Sequence, residues 1–469
     1  MNNFSLDPVT LGLVLIFLSI IATGFVLFIL SRWQWYFCVV VLLFSILLGG
    51  FVINFAPKSY NLFYSDFVLA IVLVASVARH MSNRIRQNHQ LLEWPSKTIL
   101  WVVIWTAIYV LFSTLSSIVN SPDLLRSIAV LKQVAQEPLI LIVVWTLLRG
   151  NREFIEKTVE TLPILGACIA VITLYSAYVN SFGDVAQMLV WNKDYYTKNL
   201  IFSYLGRSNY LSGLLALLLP ISIAVAQIQN GFRRWLTWMC VTLFIITILI
   251  TNSRGALSAL IATGFLLTIL TPSWLTRFRL LLMSVVIVSV IYFIAQQTVY
   301  DSLQDIAHSF QGRQDLWRLG LQTLQSNPLI GTGRGAIYTM AGEDLHNNIF
   351  KAFLEAGVIG GLAYVGLIIT LLVGLFPPSR RSAGDTRLLI IHQGVFFSFI
   401  VAIIHSLGEP LLENALYDII FWSIVGIGYA LPAQVASPHS AQSGSCIEVS
   451  TPTSQSDKYL SDLVQASPD

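Results

Sequence analysis

The sequence predicts an all-α polytopic membrane protein with about 12 to 13 transmembrane helices and a large external loop between the tenth and eleventh spans. Of its 469 residues, 55% are hydrophobic and only 11% are charged, and the mean hydropathy is +0.73. A water-soluble chain of this size could not bury so much apolar surface, so lipid must be its solvent. The net charge of +3 is small and the basic residues are scattered among loops, so we expect no nucleic-acid partner.

The spans themselves are apolar runs of about membrane-crossing length. The fifth run is short and contains Pro138. In chain order the runs are Val9–Leu30, Trp35–Phe55, Leu62–Ala78, Thr98–Val119, Val134–Leu148, Leu162–Val179, Tyr210–Gln227, Trp235–Thr251, Ala256–Thr271, Leu280–Ala295, Ile349–Phe376, Leu388–Leu407 and Leu416–Ala430.

Lysine and arginine are distributed unequally between alternate short loops, which orients the spans. One set of loops holds 15 basic residues and the opposite set holds 4. The richer set should face the cytoplasm. The two long loops, Asn180–Asn209 and Gln296–Asn348, then face outward. The four residues of the poorer set are Lys58, Arg126, Lys132 and Arg254.

Four regions follow from this organisation. Residues 1–200 form N-terminal spans, 201–376 form a central part with the external loop 296–348, and 377–431 form the last spans. The tail 432–469 is rich in Ser, Gln, Thr and Pro, which is typical of a disordered cytoplasmic segment. The chain has no GxxxxGK[ST], HExxH, paired CxxC or GxSxG pattern, so ATP-driven and zinc chemistry find no support, and we expect no cofactor.

The central region is organised around an unusually polar stretch, residues 311–368. Ionisable groups at membrane depth are costly, so such a cluster should lie in a loop or cavity where it has a function. We predict a surface helix over Arg313–Gln325, a glycine-rich turn over Asn327–Gly335, and a further span that begins at His346.

The arginines of this region have two interpretations. Arg254, at the junction of two spans, is placed to grip a diphosphate with its guanidinium, or simply to anchor the helix at the interface. Arg313 and Arg318 lie beside Trp317 on the surface helix. They are candidates for an anionic, lipid-linked substrate, although an amphipathic interfacial helix has the same pattern.

His346 is the candidate general base because a neutral imidazole can take a proton from an acceptor hydroxyl near pH 7. The alternative is a helix-capping residue that shares this role with Asn347. Glu355 lies four residues after Lys351, which predicts a salt bridge. For Glu409 and Glu413, which flank Pro410, a structural role is the simpler interpretation.

Four motifs in a fixed order resemble the O-antigen ligase and polymerase superfamily. They are SYLGRSNYLSGLLALLLP, TNSRGALSALI, GRQDLWRLGLQTLQSNPLIGTGRG and LHNNIFKAFLEAGVIGGLAYVGLI, and they cover about Ser203 to Leu372. The resemblance implies a multi-span glycosyltransferase of the bacterial cytoplasmic (inner) membrane whose active site faces the periplasm. It implies a polyprenyl-diphosphate-linked glycan donor, such as one on undecaprenyl diphosphate, and a lipid or glycan acceptor.

Residue by residue, the resemblance implies that His346 is catalytic and that Arg254 and Arg313 bind the diphosphate, with no metal required. Arg318 and Asn347 are further substrate-binding candidates. The pair of asparagines after the histidine favours a ligase over a chain polymerase. A small-solute transporter of the bicarbonate type is a rival from another class, and it predicts deep charges and broken helices. A scaffold component of a polysaccharide export complex is a third alternative.

Overall fold

The protein is an α-helical bundle with one short β-hairpin. The structure, a computed structural model, describes residues 35–48, 50–55, 58–86, 97–122, 124–180, 207–251, 253–270, 299–342, 345–377, 385–411 and 414–431. The predicted runs Val9–Leu30 and Leu280–Ala295 and the tail 432–469 lie outside these residues.

The first described elements are helix α1 (Tyr36–Ser45), a 3₁₀ turn (Ile46–Leu48), strands β1 (Gly50–Phe55) and β2 (Lys58–Phe63), and α2 (Tyr64–Arg86). The two strands pair antiparallel. The bundle continues with α3 (Lys97–Asn120), α4 (Leu124–Leu148), α5 (Arg152–Asn180), α6 (Ser208–Ile228), α7 (Gly231–Thr251) and α8 (Arg254–Leu270). The last helices are α9 (Val299–Ser326), α10 (Ala336–Ala341), α11 (Asn348–Leu375), α12 (Thr386–Ser406) and α13 (Ala415–Ala430).

Among the described residues, seven helices are long and apolar enough to cross a membrane and four shorter helices are apolar. The predicted fold class, a multi-pass helical membrane protein, is therefore confirmed. The predicted span Trp35–Phe55 is wrong in its second half, where β1 replaces helix. Lys132, assigned to a loop, lies within α4 and pairs with Asp66 at 2.5 Å.

Side-chain oxygens satisfy the first backbone N–H groups of several helices, which fixes where those helices begin. Asp385 accepts from the backbone N–H groups of Arg387 and Leu388 at the start of α12. Asn414 accepts from Leu416 and Tyr417 at the start of α13. Both caps follow a break in the hydrophobic pattern, so the helix starts were readable from the sequence to within about two residues.

Small residues let the helices approach closely. A Cβ atom at Gly426 of α13 would lie 2.8 Å from the Cβ atom of Val144 on α4. A Cβ atom at Gly394 of α12 would lie 2.6 Å from the Cβ atom of Ala224 on α6. Between helices in lipid, such close packing replaces the hydrophobic driving force that acts in water. Large apolar side chains that remain exposed, such as Val373 at 68% and Leu111 at 62%, then form the lipid-facing surface.

The two ends of the bundle can be told apart by the residues that lie there. At one end, Arg152 pairs with Asp385, and Arg387 donates to the carbonyl of Ile228 at 3.0 Å. A cavity of about 230 Å³, lined partly by Glu160 and Arg233, opens at this end. The starts of α6, α8, α11 and α13 lie at the opposite end, which we call the site end.

Candidate functional site

Four segments that are distant in sequence meet at the site end. They are the surface helix α9, the residues just before α11, the loop between α12 and α13, and the start of α6. The carboxylate of Glu409, in the α12–α13 loop, joins them. Its Oε1 atom accepts from Arg313 Nη2 at 3.2 Å and from Asn209 Nδ2 at 3.0 Å, and its Oε2 atom lies 3.2 Å from His346 Nδ1. We call Arg313, His346, Glu409 and Asn209 the site cluster.

The site cluster is half-open to solvent. The side chain of Glu409 is 12% exposed, whereas those of Arg313 and His346 are 32% and 29% exposed. Burial by itself raises the pKa of Glu409. The hydrogen bond with His346 and the electrostatic effects of His346, Arg313 and His405 outweigh burial, so this pKa lies below its ordinary value. Glu409 is therefore an anion at neutral pH, and its partners remain accessible to a ligand.

The backbone presents His346 in an unusual conformation. Its φ angle is +52°, and it is the only non-glycine residue with a positive φ in the described part of the chain. This left-handed region costs roughly 1 kcal/mol or more for a residue with a Cβ atom. Such strain persists when the surroundings hold it in place, and here it turns the imidazole towards Glu409.

The capping alternative for His346 is not what the structure has, because the cap of α11 is the neighbouring Asn347. The Asn347 side chain accepts from the backbone N–H of Phe350 at 2.9 Å. Its amide nitrogen donates to the carbonyl of Leu407 at 3.3 Å. Both ends of the amide are thus used within the protein, where they fix the start of α11 next to the α12–α13 loop.

Helix α9 is held against α11 by a small apolar cluster and one hydrogen bond. Trp317 donates from its indole nitrogen to the carbonyl of Leu345, at 3.1 Å. This bond ties the residue before His346 to the helix that carries Arg313. Ile337, Leu345 and Leu354 are buried there, with Leu316, Trp317 and Phe350 packed against them.

The other predicted arginines lie around the site cluster. Arg254 is the exposed first residue of α8. Its neighbour Gly255 lies against the site, because a Cβ atom there would be 2.7 Å from His405 Nε2 and 3.5 Å from Glu409 Cγ. Arg318 is 75% exposed and pairs with Asp315, three residues before it on α9, at 3.4 Å. Arg254 is thus beside the cluster, and Arg318 is on the solvent side of α9.

The predicted glycine-rich turn is present, and it enters a break in α11. Gly357 has φ +71° and ψ −178°, a conformation that is essentially restricted to glycine. The backbone groups released by the break bond to the turn. The N–H of Val358 donates to the carbonyl of Pro328 at 2.9 Å, and the carbonyl of Leu354 accepts from Thr332 at 3.0 Å. The turn therefore replaces the hydrogen bonds that a continuous helix would have.

Behind the turn lies a second set of charges, which we call the buried cluster: Arg334, Lys351 and Glu355. Glu355 Oε2 lies 2.8 Å from Arg334 Nη1, and its Oε1 atom lies 3.7 Å from Lys351 Nζ. All three side chains are at most 6% exposed. Oε1 also accepts from the backbone N–H of Gly335 at 2.8 Å. The predicted Lys351–Glu355 pair is thus confirmed, and Arg334 is a partner that the spacing argument missed.

The site cluster combines a cationic donor, an imidazole and a carboxylate around accessible space. Among the described residues, Arg313 forms its ion pair with a carboxylate that it shares with His346 and Asn209. Such an arginine can bind phosphate oxygens, and the imidazole can take a proton. No group of three His, Cys, Asp or Glu side chains in the described ranges is close enough to hold a metal ion. Sequence reasoning gave Glu409 a structural role and missed its contacts with His346 and Arg313. The available signal was the predicted position of Glu409 at the same end of the bundle as these two residues.

The fold and the site define a multi-pass membrane protein with a charged, half-open site at one end. Residues 238–365 match the family model described as O-Antigen ligase. This match supports assignment to the O-antigen ligase and polymerase superfamily, and it confirms the resemblance carried by the motifs. No curated protein matches the chain. The matched segment contains Arg254, Arg313 and His346, whereas Asn209 and Glu409 lie outside it.

Proposed function

We propose that the protein transfers a glycan from a polyprenyl-diphosphate-linked donor to an acceptor hydroxyl during surface polysaccharide assembly. The observation that carries this proposal is the contact of Arg313 and His346 with one carboxylate, at the end of a membrane bundle. The family match supports a ligase-like activity. The donor and its diphosphate, the acceptor and the roles of single residues belong to the proposal.

Arg313 binds the diphosphate in this mechanism, together with Arg254 on the neighbouring helix start. A planar guanidinium forks onto two phosphate oxygens, and it keeps its charge at every physiological pH. Arg318, on the solvent side of α9, adds positive potential for an approaching anionic donor. As the glycan leaves the diphosphate, negative charge grows on the departing oxygen, and the arginines stabilise it.

His346 serves the acceptor. The acceptor oxygen attacks the anomeric carbon of the donor sugar, and a new carbon–oxygen bond forms. The bond from that carbon to the diphosphate oxygen breaks, and the polyprenyl diphosphate leaves with both electrons. The acceptor proton passes to Nε2 of His346, for which the described residues provide no hydrogen-bond partner. General-base assistance of this kind contributes roughly a hundredfold to ten-thousandfold.

We place the site on the periplasmic side of the bacterial inner membrane. The support is the excess of basic residues in the short loops at the end opposite to the site. A polyprenyl diphosphate in the outer half of the bilayer would present its head group at the level of the site cluster. The lipid tail would then remain in the membrane.

A strain that lacks the protein tests the proposal. We expect its membranes to accumulate lipid-linked glycan and its surface to lose polysaccharide. Loss of attachment with normal chain length identifies a ligase, whereas loss of long chains with retained single units identifies a polymerase. Gel analysis of extracted surface glycan distinguishes these results. Unchanged surface glycan together with unchanged lipid-linked glycan would rule out the enzyme.

A small-solute transporter is the second candidate, because the structure has two features that this class predicts. Helix α11 breaks at Gly357, and the buried cluster lies against the break. One observation argues against a transporter. The backbone groups that the break releases from the helix are hydrogen-bonded to the glycine-rich turn, so they are not open to a solute. Uptake of labelled bicarbonate into vesicles containing the protein, absent with empty vesicles, would favour the transporter.

A further inference from the structure

Glu409 is the one charged residue of the site cluster to which the proposed function gives no task. We propose that Glu409 positions His346 by selecting the imidazole tautomer whose Nε2 atom is free to accept a proton. This inference rests on the proposed function, because it explains how His346 could act as a base. Neither the matched family segment nor the local sequence around Pro410 points to Glu409.

The two carboxylate oxygens of Glu409 have different partners. Oε1 accepts from Arg313 and from the amide nitrogen of Asn209, and both of these groups are donors. Oε2 is thereby left for Nδ1 of His346, at 3.2 Å. Because a carboxylate has no proton to give, Nδ1 must carry the hydrogen of that bond. The remaining nitrogen, Nε2, then has its lone pair free.

The carboxylate is held in place from several sides. The backbone N–H of Glu409 donates to the carbonyl of His405 at 3.1 Å, and the carbonyl of Glu409 accepts from Leu411 at 2.8 Å. Gly255 and the imidazole of His405 pack against the Glu409 side chain, because a Cβ atom at position 255 would contact both the imidazole and the Glu409 Cγ atom. An orienting group needs this kind of support, because a loose partner would not fix the direction of the ring.

The same arrangement predicts an unusually informative effect of Glu409→Gln. Arg313 and Asn209 both need an acceptor, so the amide oxygen of glutamine would take the place of Oε1. The amide NH₂ group would then face Nδ1 of His346 and donate to it. That contact stabilises the opposite tautomer, in which Nε2 carries the proton and cannot take another. The nearly isosteric variant thus disables the base while the cluster keeps its shape.

The experiment uses the full-length protein in lipid nanodiscs, with lipid-linked glycan extracted from the deletion strain as donor. For Glu409→Gln we expect kcat to fall roughly a hundredfold with little change in KM, since the loss concerns proton transfer alone. Binding of undecaprenyl diphosphate, the probe for the arginine site, should stay equal or become tighter. Arg313 would then face a neutral amide in place of a competing carboxylate.

The double variant Asn209→Asp with Glu409→Gln is the matched rescue. Aspartate at 209 would accept from Arg313 and from the new amide NH₂ group, so the amide oxygen would turn towards His346. We expect at least a tenfold recovery of kcat over the single variant. This variant also keeps a carboxylate beside Arg313, so it remains informative if Glu409→Gln alone fails to accumulate.

Three outcomes separate the inference from the function on which it rests. Normal transfer by Glu409→Gln, with His346→Ala inactive, overturns the role of Glu409 and leaves the proposed function intact. A parallel loss of kcat and of undecaprenyl diphosphate binding also overturns it, because Glu409 would then position Arg313. Normal transfer by both His346→Ala and Glu409→Gln overturns the proposed function itself.

Discussion

The two charged clusters differ in how far their side chains are exposed, and this difference predicts a ligand-binding role for one and a structural role for the other. The site cluster and the buried cluster each centre on one glutamate with two basic partners. In the first, the side chains of Arg313 and His346 are about one-third exposed. In the second, Glu355 is fully buried and Arg334 and Lys351 nearly so. Similar charges are thus open to a ligand in one place and sealed in the other.

Burial changes what a charge pair can do. Removing two charges from water is expensive, and the attraction between them repays it only with close geometry and further hydrogen bonds. Glu355 has these, since its backbone carbonyl also accepts from Ser116 at 2.6 Å and from Gly333 at 3.1 Å. The buried cluster therefore ties the turn to α3 and α11. The site cluster has looser contacts, which an incoming anion can replace.

The largest expected effect is on the buried cluster. Glu355→Gln leaves Arg334 and Lys351 without their carboxylate, which should cost about 3–5 kcal/mol of stability. We expect little protein in the membrane, and a lowered midpoint of thermal unfolding for whatever is purified. Glu409→Gln is the matched control and should accumulate normally. Normal abundance of Glu355→Gln with lost transfer would assign the buried cluster to the reaction, and the contrast between the clusters would fail.

The next effect concerns His346. His346→Ala opens no core cavity, so abundance should survive, while glycan transfer falls roughly a hundredfold or more. His346→Gln keeps hydrogen bonding but cannot titrate near neutral pH, and it should be as inactive. His346→Asn controls for the backbone, because asparagine tolerates the left-handed conformation well. Transfer close to wild type in all three variants would exclude a catalytic histidine.

A smaller effect is expected from Arg313→Lys. The ammonium keeps the charge and loses the planar fork, so the diphosphate loses one of two parallel hydrogen bonds. Transfer should fall roughly tenfold, which corresponds to about 1.4 kcal/mol. Complementation of the deletion strain, with membrane levels checked by immunoblot, measures this. Arg318→Lys, outside the site cluster, is the control and should change glycan transfer little. Equal activity of both variants would make Arg313 an interfacial anchor.

Acid should destabilise the wild-type protein more than it destabilises the Glu409→Gln variant. The pKa of Glu409 lies below its ordinary value of 4.5 in the folded protein. Its contribution to stability is therefore complete above that value and is lost as the pH falls through the folded pKa. The difference between the thermal unfolding midpoints of wild type and Glu409→Gln should thus stay constant from neutral pH down to 4.5 and shrink only below that value. A gap that widens in acid would contradict an ionised Glu409.

Reporter fusions can determine on which side of the membrane the two clusters lie, independently of any activity measurement. Reporter tags after Gln229 or Ser382 should lie in the cytoplasm, and tags near Lys193 or Gln304 outside it. The physical reason is the excess of basic residues in the loops that stay inside. Alkaline phosphatase and green fluorescent protein fusions give opposite signals on the two sides. Reversed signals at both long loops would move the site cluster to the cytoplasmic face.

Local pattern was sufficient for most of the helices. Runs of about 18 apolar residues must be helical in lipid, so Thr98–Val119 was found as Lys97–Asn120 and Tyr210–Gln227 as Ser208–Ile228. The failure at Trp35–Phe55 has a physical reason. Gly49 and Gly50 weaken a helix, and β1 obtains its hydrogen bonds from β2 instead. Hydropathy alone does not distinguish a strand that pairs with its neighbour from a membrane-spanning helix.

The site was only half predictable because its contacts are long-range. Arg313, His346 and Arg254 could be named from motifs, and all lie at or beside the site cluster. Glu409 is 96 residues from Arg313 in sequence, and no spacing rule connects them. The break at Gly357 was equally hidden, since Gly360 and Gly361 follow it within the same apolar run. The helix breaks at Gly357 because the glycine-rich turn packs there and forms hydrogen bonds with the backbone groups on either side of it.

The break in α11 also decides how the helix matches the thickness of a bilayer. A continuous helix of 28 residues would be about 42 Å long, well above the roughly 30 Å of a hydrocarbon core. The part after Gly357, residues 358–375, is about 27 Å long and would suffice to cross it. The nine residues before Gly357 then form a cap at the head-group level. Lys351 and Glu355 belong to this cap, so their charges need never be transferred into the hydrocarbon.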